Sequence, residues 1–329
     1  MEKPVTIAVD VMGGDNAPEV VLEGVDLVVE ADSLLRVVLT GPEEVIRPAA
    51  EKRPDRIEAV ATTQVIAMDE HPANAVREKK DSSIVVGCNL VKEGRAQGFF
   101  SAGSTGACMA AATLYIGRIK GVARPAIASV IPSPIAPVVL TDIGANADVK
   151  PEYLVQFAQM AGIYAQKILD VGHPRIGLLN IGEEETKGSM LIQEAYGLLK
   201  EKVSGFVGNA EGNDILQGKF DVIVTDGFTG NVALKTIEGA AETLFAELKK
   251  ILSASLGSKI GASLIMPGLR QLKKNLSADE IGGAPLLGLK GGCIIGHGSS
   301  NAKAISNGIA ATALYVREDV TQVIAEAVS

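Results

Sequence analysis

The chain has 329 residues, of which 47% are hydrophobic and 4% aromatic, and its formal net charge is −8 at pH 7. This length and apolar content suffice for a large α/β unit or for two lobes around a cleft, and they argue against extensive disorder. The negative charge argues against general nucleic-acid binding, and three scattered cysteines without a CxxC pair argue against a structural zinc site.

The first part of the chain alternates apolar strands with amphipathic helices. It begins without a signal-peptide layout, and no apolar run approaches the roughly 20 residues that span a bilayer. With reduced cysteines, these features predict a cytoplasmic location. Strands are predicted at 5–11, 35–41, 57–66 and 98–101, and helices at 19–32, 42–52, 71–93 and after Gly106.

Two closely spaced strands then interrupt the alternation. Residues 126–131 and 138–143 are separated by a proline-rich turn that is too short for a crossover helix, which predicts an antiparallel hairpin. Further helices are predicted at 151–171, 189–202, from Asn231 and at 302–317, and strands at 175–181, 204–207, 220–225 and 292–295. This order predicts a mainly parallel α/β/α sheet in one two-lobed unit over 1–329.

Polar, glycine-containing clusters follow seven of the predicted strands. They lie at 10–16, 101–106, 142–146, 180–188, 209–212, 225–231 and 296–301. Ligands of open parallel sheets bind outside the carboxyl ends of the strands. We therefore expect the seven clusters to meet at one edge of the sheet and to line a shared active-site cleft.

The loop from Ser101 to Gly106 allows two interpretations. Its small residues, followed at once by a helix, can close backbone N–H groups around a phosphate, and the helix N-terminus adds partial positive charge. The same residues also suit an ordinary strand-to-helix turn, in which glycine avoids a Cβ clash and serine or threonine caps the helix. The loop by itself leaves both interpretations open.

Several familiar catalytic motifs are absent from the sequence. There is no GxGxxG with a downstream acid, no GxxxxGK[ST] and no GxSxG, so dinucleotide, Walker-type nucleotide and serine-hydrolase sites lack support. The three histidines have no metal-ligand spacing. His297, between two glycines and before two serines, is the best candidate for a catalytic imidazole, whereas His173 suits a structural turn and His71 allows either role.

A basic segment near the C-terminal third contrasts with the acidic remainder. No acidic residue lies between Glu247 and Asp279, where six lysines and arginines occur. Leucines at helical spacing predict two amphipathic helices, a hairpin over 231–276 whose apolar tip lies at 260–266. The hairpin suits dimerisation with a solvated basic face, or contact with anionic lipid or an acidic protein, and these roles are compatible.

Five segments together resemble one protein family. Residues 10–18, 142–146, 179–188, 225–235 and 295–303 are similar to the PlsX family of bacterial phosphate acyltransferases, in order and over nearly the whole chain. The chain departs from the family pattern at Ser104, where asparagine is usual, and at Gly212, where a bulkier residue is common.

The resemblance implies a Rossmann-like α/β/α sheet similar to the phosphotransacetylase and isocitrate dehydrogenase group, with a protruding helical hairpin. It implies transfer of an acyl group from acyl-carrier protein to inorganic phosphate, giving acyl phosphate for phospholipid synthesis without a metal or other cofactor. It further implies a homodimer, peripheral membrane association, and delivery of acyl phosphate to a downstream membrane glycerol-phosphate acyltransferase.

This reaction assigns hypothetical roles to the polar clusters. Phosphate needs little base assistance and a thiolate leaves readily, so the task is to hold the anion and stabilise the oxyanion. Phosphate is assigned to Ser101, Gly103, Ser104, Thr105 and Gly106, with help from Lys187. Thioester positioning, oxyanion stabilisation and thiol release are assigned to Asp226, Asn231 and His297, and bracing of the loops to Asp10, Asp15 and Asn146. Docking of acidic carrier protein or anionic lipid is assigned to Lys249, Lys250, Arg270, Lys273 and Lys274.

Two other functions are compatible with parts of the sequence. A phosphotransacetylase would perform the same chemistry on a coenzyme A thioester. A non-catalytic membrane scaffold would explain the apolar hairpin but would leave the seven polar loops without a role.

Overall fold

The computed structural model describes residues 3–133, 135–275 and 282–328. The strands are β1 (Val5–Asp10), β2 (Leu35–Gly41), β3 (Ile57–Ala61), β4 (Gly98–Ser101), β5 (Ala126–Ile131), β6 (Val138–Thr141), β7 (Ile176–Leu179), β8 (Phe206–Ala210), β9 (Val222–Val224), β10 (Ala284–Leu287) and β11 (Gly292–Ile295). The helices are α1 (Glu19–Ala31), α2 (Glu43–Lys52), α3 (Pro72–Glu78), α4 (Ser83–Lys92), α5 (Thr105–Ala111), α6 (Pro151–Ile168), α7 (Met190–Lys202), α8 (Gly227–Ser253), α9 (Leu256–Asn275), α10 (Ala302–Arg317) and α11 (Val320–Ala327).

All of these strands belong to one sheet, in the order β3-β2-β1-β4-β11-β10-β5-β6-β9-β7-β8. The outer strands pair in parallel, so the predicted mainly parallel sheet is confirmed. The predicted hairpin is confirmed as well, because β5 and β6 pair antiparallel with Ile131 opposite Val138. The short strand β10, which the sequence did not predict, pairs antiparallel with both β11 and β5.

The three antiparallel pairings reverse the strand direction between the two halves of the sheet. β1, β4 and β11 therefore end at one edge, whereas β6, β7, β8 and β9 end at the opposite edge. The expectation that seven loops meet at one edge is wrong for this reason. A four-residue strand spans only about 13 Å, however, so loops from both edges can reach the middle of the sheet.

Alternate strand residues face two different helical layers. In β1, Ile7 and Val9 pack with α1 and α10, whereas Ala8 packs with α4 and α5 on the other face. The helices approach closely, because a methyl group on Gly24 of α1 would lie 2.6 Å from Ile305 of α10. Burial of each large aliphatic side chain stabilises the fold by about 1.5 to 3 kcal/mol.

The second half of the sheet is also covered on both faces. α6, α7 and α11 pack on one face, where Leu154, Phe157 and Leu199 join the buried cluster. The other face continues the apolar cluster of the first half as far as Ala210 in β8, the last strand of the sheet. It is covered there by the start of α8 and by a 3₁₀ turn at Gly212–Leu216.

Three helical predictions need correction. The helix expected over 71–93 is two helices, because Ser82 accepts a hydrogen bond from the Val85 N–H and starts α4 anew. The helix expected from Asn231 begins at Gly227, capped by Asp226. The turn between α8 and α9 lies at 254–255, so the expected tip at 260–266 lies inside α9. In the part of the chain that the structure describes, no helix is long and apolar enough to cross a membrane.

Candidate active site

A cavity of about 350 Å³ lies on the face of the sheet between α5 and α8. Its apolar wall is formed by Ile127, Val130, Ile143, Leu234 and Ile295. Polar side chains reach it from Thr105, Ser129, Asn231, Lys235, Glu238, His297 and Ser300. The structure therefore brings together three residues that the sequence nominated, namely Thr105, Asn231 and His297.

The first turn of α8 is fixed against the loop that follows β6. Asp226 caps the helix, because its carboxylate accepts hydrogen bonds from the Thr229 N–H at 2.8 Å and from the Thr229 hydroxyl at 2.7 Å. Glycine is required at 230, where a methyl group would lie 2.0 Å from the Asp142 carbonyl oxygen. This anchoring turns one stripe of α8, spaced i, i+3, i+4 and i+7, towards the cavity: Asn231, Leu234, Lys235 and Glu238.

The buried Asp142 carboxylate organises the loop after β6. It accepts hydrogen bonds from the backbone N–H groups of Ile127, Gly144, Ala145 and Asn146 and from the Asn146 amide. Burial raises the pKa of Asp142, although these hydrogen bonds oppose the rise. The Asn146 amide also donates to the Pro125 carbonyl oxygen at 2.8 Å, and the Asn146 carbonyl accepts from the Gly227 N–H. Asn146 thus ties this loop to both β5 and α8.

The loop after β4 uses most of its polar groups to build itself. The Ser101 hydroxyl donates to Asp10 at 2.7 Å and accepts from the Gly103 N–H at 3.0 Å. Burial raises the pKa of Asp10, against hydrogen bonds that lower it. Ser104 caps α5 by accepting from the Ala107 N–H at 3.4 Å. Thr105 is exposed and lines the cavity, whereas Gly106 packs against Pro72.

His297 stands at the end of β11 with one ring nitrogen engaged. Its Nδ1 atom lies 2.8 Å from the Ser299 hydroxyl and 3.3 Å from the Ser299 backbone nitrogen. Because a backbone N–H can only donate, Nδ1 is the acceptor, and the neutral ring then carries its proton on Nε2. Asp15 supports the same turn, since its N–H donates to the Gly298 carbonyl oxygen at 2.8 Å. His297 is therefore arranged to donate a hydrogen bond from Nε2.

Other nominated residues lie away from the cavity. Lys187 is exposed in the loop after β7, where its carbonyl accepts from the Asn180 amide. In the sheet, β7 lies six strands away from β4, a separation of about 29 Å between the strand that precedes Lys187 and the strand that precedes Thr105. Asp226 serves as the cap of α8 and lines a separate cleft with Phe228. Lys249 and Lys250 are exposed near the end of α8, whereas the side chains of Arg270, Lys273 and Lys274 lie outside the described residues.

Sequence reasoning missed several residues that line the cavity. Lys235 and Glu238 form an ion pair of 2.7 Å in the middle of α8, where such residues usually face solvent. Gly282 and Gly283 precede β10 and have φ angles of 84° and 129°, a backbone conformation that favours glycine. The pair of adjacent glycines was the only sequence feature that could have indicated this part of the cavity. Among the described residues, no group of three or more His, Cys, Asp or Glu side chains is arranged to hold a metal ion.

Comparison with known proteins places the chain in a family. The family model described as "Fatty acid synthesis protein" matches residues 5–323. The chain belongs to this family. It is 49% identical over 325 residues to the phosphate acyltransferase of Heliobacterium modesticaldum, covering 97% of this chain and 96% of that one. It is 52% identical over 307 residues to that of Desulfitobacterium hafniense, covering 92% and 91%. The predicted membership of the phosphate acyltransferase family is confirmed.

Solved structures of the same fold have much lower sequence identity to this chain. A phosphotransacetylase from Streptococcus pyogenes aligns with a TM-score of 0.62 at 18% identity, covering 94% of this chain and 93% of that one. A branched-chain phosphotransacylase from Enterococcus faecalis aligns with a TM-score of 0.58 at 15% identity, covering 95% and 98%. These alignments confirm the predicted fold group.

Proposed function

We propose that this chain transfers an acyl group from acyl-carrier protein to inorganic phosphate, giving acyl phosphate for phospholipid synthesis. The observation that carries the proposal is the cavity, where an apolar wall meets the polar groups of Thr105, Asn231 and His297. A thioester with an acyl chain and an attacking anion require this combination. The name of the relatives, phosphate acyltransferase, supports phosphate as the acceptor.

The chemistry needs positioning more than activation. A phosphate oxygen attacks the thioester carbonyl carbon, the carbon–sulfur bond breaks, and its electron pair leaves on sulfur. The proton of hydrogen phosphate ends on the thiol, so the products are acyl phosphate and free carrier protein. A free thiol has a pKa of about 8.5, so the leaving group is a good one. The enzyme then has to align the anion and stabilise the oxyanion.

The residues divide between these two tasks. Thr105, with its hydroxyl and N–H at the start of α5, receives the phosphate, whereas Ser101, Gly103 and Ser104 hold the loop in shape. The Nε2–H group of His297 and the amide of Asn231 donate to the oxyanion or to the departing sulfur. Removal of one such donor lowers kcat by roughly 10²- to 10³-fold in other acyl-transfer enzymes.

The apolar wall offers a place for the first part of the acyl chain. Ile127, Ile143 and Ile295 are almost fully buried and lie next to the polar end of the cavity. Each methylene group buried against them adds about 0.8 kcal/mol to binding. We therefore expect a long acyl chain to bind more tightly than an acetyl group.

Acyl phosphate formation is the test of the proposed function. Purified protein is given palmitoyl-carrier protein and phosphate without added metal, and acyl phosphate is trapped as the hydroxamate. We expect phosphate-dependent product and release of carrier-protein thiol in equal amounts. Turnover with acetyl-coenzyme A but not with palmitoyl-carrier protein would instead make the chain a phosphotransacetylase. Product from neither thioester would refute acyl transfer.

Substitutions at Ser104 test whether this residue caps the helix or binds phosphate. Ser104→Ala should lower stability by about 1 kcal/mol through loss of the cap and should raise the KM for phosphate by loosening the start of α5. Ser104→Asn, which can cap the helix, should restore both. The matched control is Ser189→Ala, since Ser189 caps α7 with the same 3.4 Å hydrogen bond. It should lower stability equally without changing that KM. A raised KM in both Ser104 variants would contradict the capping role and favour direct phosphate contact.

We also propose that the basic, partly apolar surface of α8 and α9 binds acidic carrier protein, on a homodimer that associates peripherally with the membrane. Exposed apolar side chains on these helices, including Leu244, Ile251 and Leu264, support an interaction surface. The double variant Lys249→Glu/Lys250→Glu should raise the KM for acyl-carrier protein. If instead only its binding to anionic vesicles falls, the lysines contact lipid. Sedimentation of the wild-type protein tests the dimer.

A further inference from the structure

Lys235 and Glu238 lie in the candidate active site, although their positions in the sequence suggest a solvent-facing ion pair. Both residues line the cavity that contains Thr105, Asn231 and His297. Lys235 Nζ lies 2.7 Å from Glu238 Oε2, and the two side chains are 55% and 36% exposed. They therefore have access both to the cavity and to solvent.

The position of this pair follows from the anchoring of α8. The first turn of the helix is fixed by Asp226 and by the close approach of Gly230 to Asp142. From Asn231, Lys235 lies one helical turn further along α8, and Glu238 lies about 10 Å further along the same stripe. Asn231 and Lys235, which are four residues apart on one face of the helix, can therefore both contact one anion in the cavity.

The charges in the cavity make Lys235 the natural partner of an anion. Among the described residues that line the cavity, Lys235 is the only lysine or arginine and Glu238 is the only aspartate or glutamate. Phosphate carries close to two negative charges, and the reaction places further charge on the carbonyl oxygen. A lysine ammonium binds phosphate through charge-assisted hydrogen bonds. A carboxylate next to the same site repels the anion unless it is neutralised.

We propose that Lys235 is the phosphate-binding cation of this cavity, and that Glu238 holds the Lys235 ammonium until phosphate displaces it. This inference rests on the proposed function. Half-exposed ion pairs are weak, so phosphate can exchange with the glutamate at little cost. Lys235 is then a binding residue for the acceptor, and Glu238 is a positioning residue that competes with the acceptor.

Steady-state kinetics with phosphate as the varied substrate test both roles. Lys235→Met should raise the KM for phosphate roughly 10- to 100-fold, as expected for loss of a hydrogen bond to a charged group, and should leave the KM for acyl-carrier protein within about twofold. Lys235→Arg, which keeps the charge, should recover most of the loss. Glu238→Gln should lower the KM for phosphate about two- to fivefold, because it removes the competing carboxylate.

Two control variants remove comparable ion pairs outside the cavity. Glu247→Gln removes the acid of another i, i+3 pair on α8, and Lys52→Met removes the lysine of the Lys52–Asp26 pair on α2. Both should leave the KM for phosphate unchanged. Thermal unfolding gives a reading that does not depend on turnover, since added phosphate should raise the Tm of the wild type but not that of Lys235→Met.

The failures of this inference and of the proposed function can be told apart. If the wild type makes no acyl phosphate, the proposed function is wrong. If the wild type is active and Lys235→Met keeps its KM for phosphate within twofold and its phosphate-dependent rise in Tm, Lys235 does not bind the acceptor. A higher KM for phosphate in Glu238→Gln would show that Glu238 does not compete with phosphate for Lys235 but assists phosphate binding.

Discussion

The close contact between α8 and the loop after β6 makes a sharp prediction about catalysis. A methyl group at Gly230 would lie 2.0 Å from the Asp142 carbonyl oxygen, whereas ordinary contact begins near 3.4 Å. In Gly230→Ala the start of α8 must therefore retreat by about 1.4 Å. That shift carries Asn231 away from the cavity, and a misplacement of about 1 Å can cost 10²-fold in rate. We expect kcat to fall about 10²-fold.

Two other glycines of α8 provide a graded comparison. At Gly227 the added methyl group would lie 2.8 Å from Asn146 backbone atoms, so Gly227→Ala needs a smaller shift of about 0.6 Å. At Gly239 nothing lies within 4 Å, so Gly239→Ala should keep full activity and gain up to about 1 kcal/mol of stability. We therefore expect kcat to be highest in Gly239→Ala, lower in Gly227→Ala and lowest in Gly230→Ala.

The assay is acyl phosphate formation at saturating substrates, with thermal unfolding and circular dichroism recorded for each variant. Gly230→Ala should fold, with a stability loss of about 1 to 3 kcal/mol that its measured Tm will show. A Gly230→Ala protein with kcat within threefold of the wild type would refute the reasoning. It would mean that the start of α8 can move without disturbing the reacting groups.

Three further predictions concern catalysis, acid stability and thiol reactivity. His297→Ala and Asn231→Ala should each lower kcat by about 100-fold, and near-normal turnover in both would show that neither donates to the oxyanion. Burial raises the pKa of Asp221, but its hydrogen bonds with Arg175 outweigh this and lower the pKa below 3.8. The stabilising contribution of the Asp221 carboxylate is therefore present above pH 3.8 and is lost as the pH falls below it. In urea unfolding, Asp221→Asn should be about 1 to 2 kcal/mol less stable than the wild type at pH 7 and as stable as the wild type near pH 2. Burial raises the pKa of the three cysteine thiols, those of Cys88, Cys108 and Cys293. A thiol reagent should therefore label them only after unfolding, and rapid labelling of the native protein would contradict their burial.

The sequence pattern within a single segment was sufficient to predict many of the helices and strands. β2, β5, β11 and α10 have the predicted bounds, because each is an apolar or amphipathic run between turn residues. The start of α8 was misplaced because two residues can cap a helix there, and Asp226 rather than Asn231 accepts the Thr229 N–H. β10 was missed because four residues between glycines give too short a pattern to recognise.

The site was only partly predictable, for a different physical reason. Thr105 and His297 could be found because polar residues that follow a buried strand reach the end of that strand. Lys235 and Glu238 could not, since charged residues in the middle of a helix indicate only that one face is polar. Which face meets the cavity depends on the contact of Gly230 with Asp142, two residues that are 88 positions apart in the chain.

The reversal of strand direction explains why the cavity lies at the middle of the sheet. Thr105 and His297 follow β4 and β11 in one half, whereas Asn231 is held by α8 and by the loop after β6 in the other half. The two halves are joined by the pairing of β10 with β5, where Leu286 lies opposite Ile127. The distance from Thr105 and His297 to the Asn231 amide is therefore set by the three antiparallel pairings of β11 with β10, of β10 with β5 and of β5 with β6. Because one of the paired residues, Ile127, also lines the cavity, the strand that joins the halves also forms part of the apolar wall of the cavity.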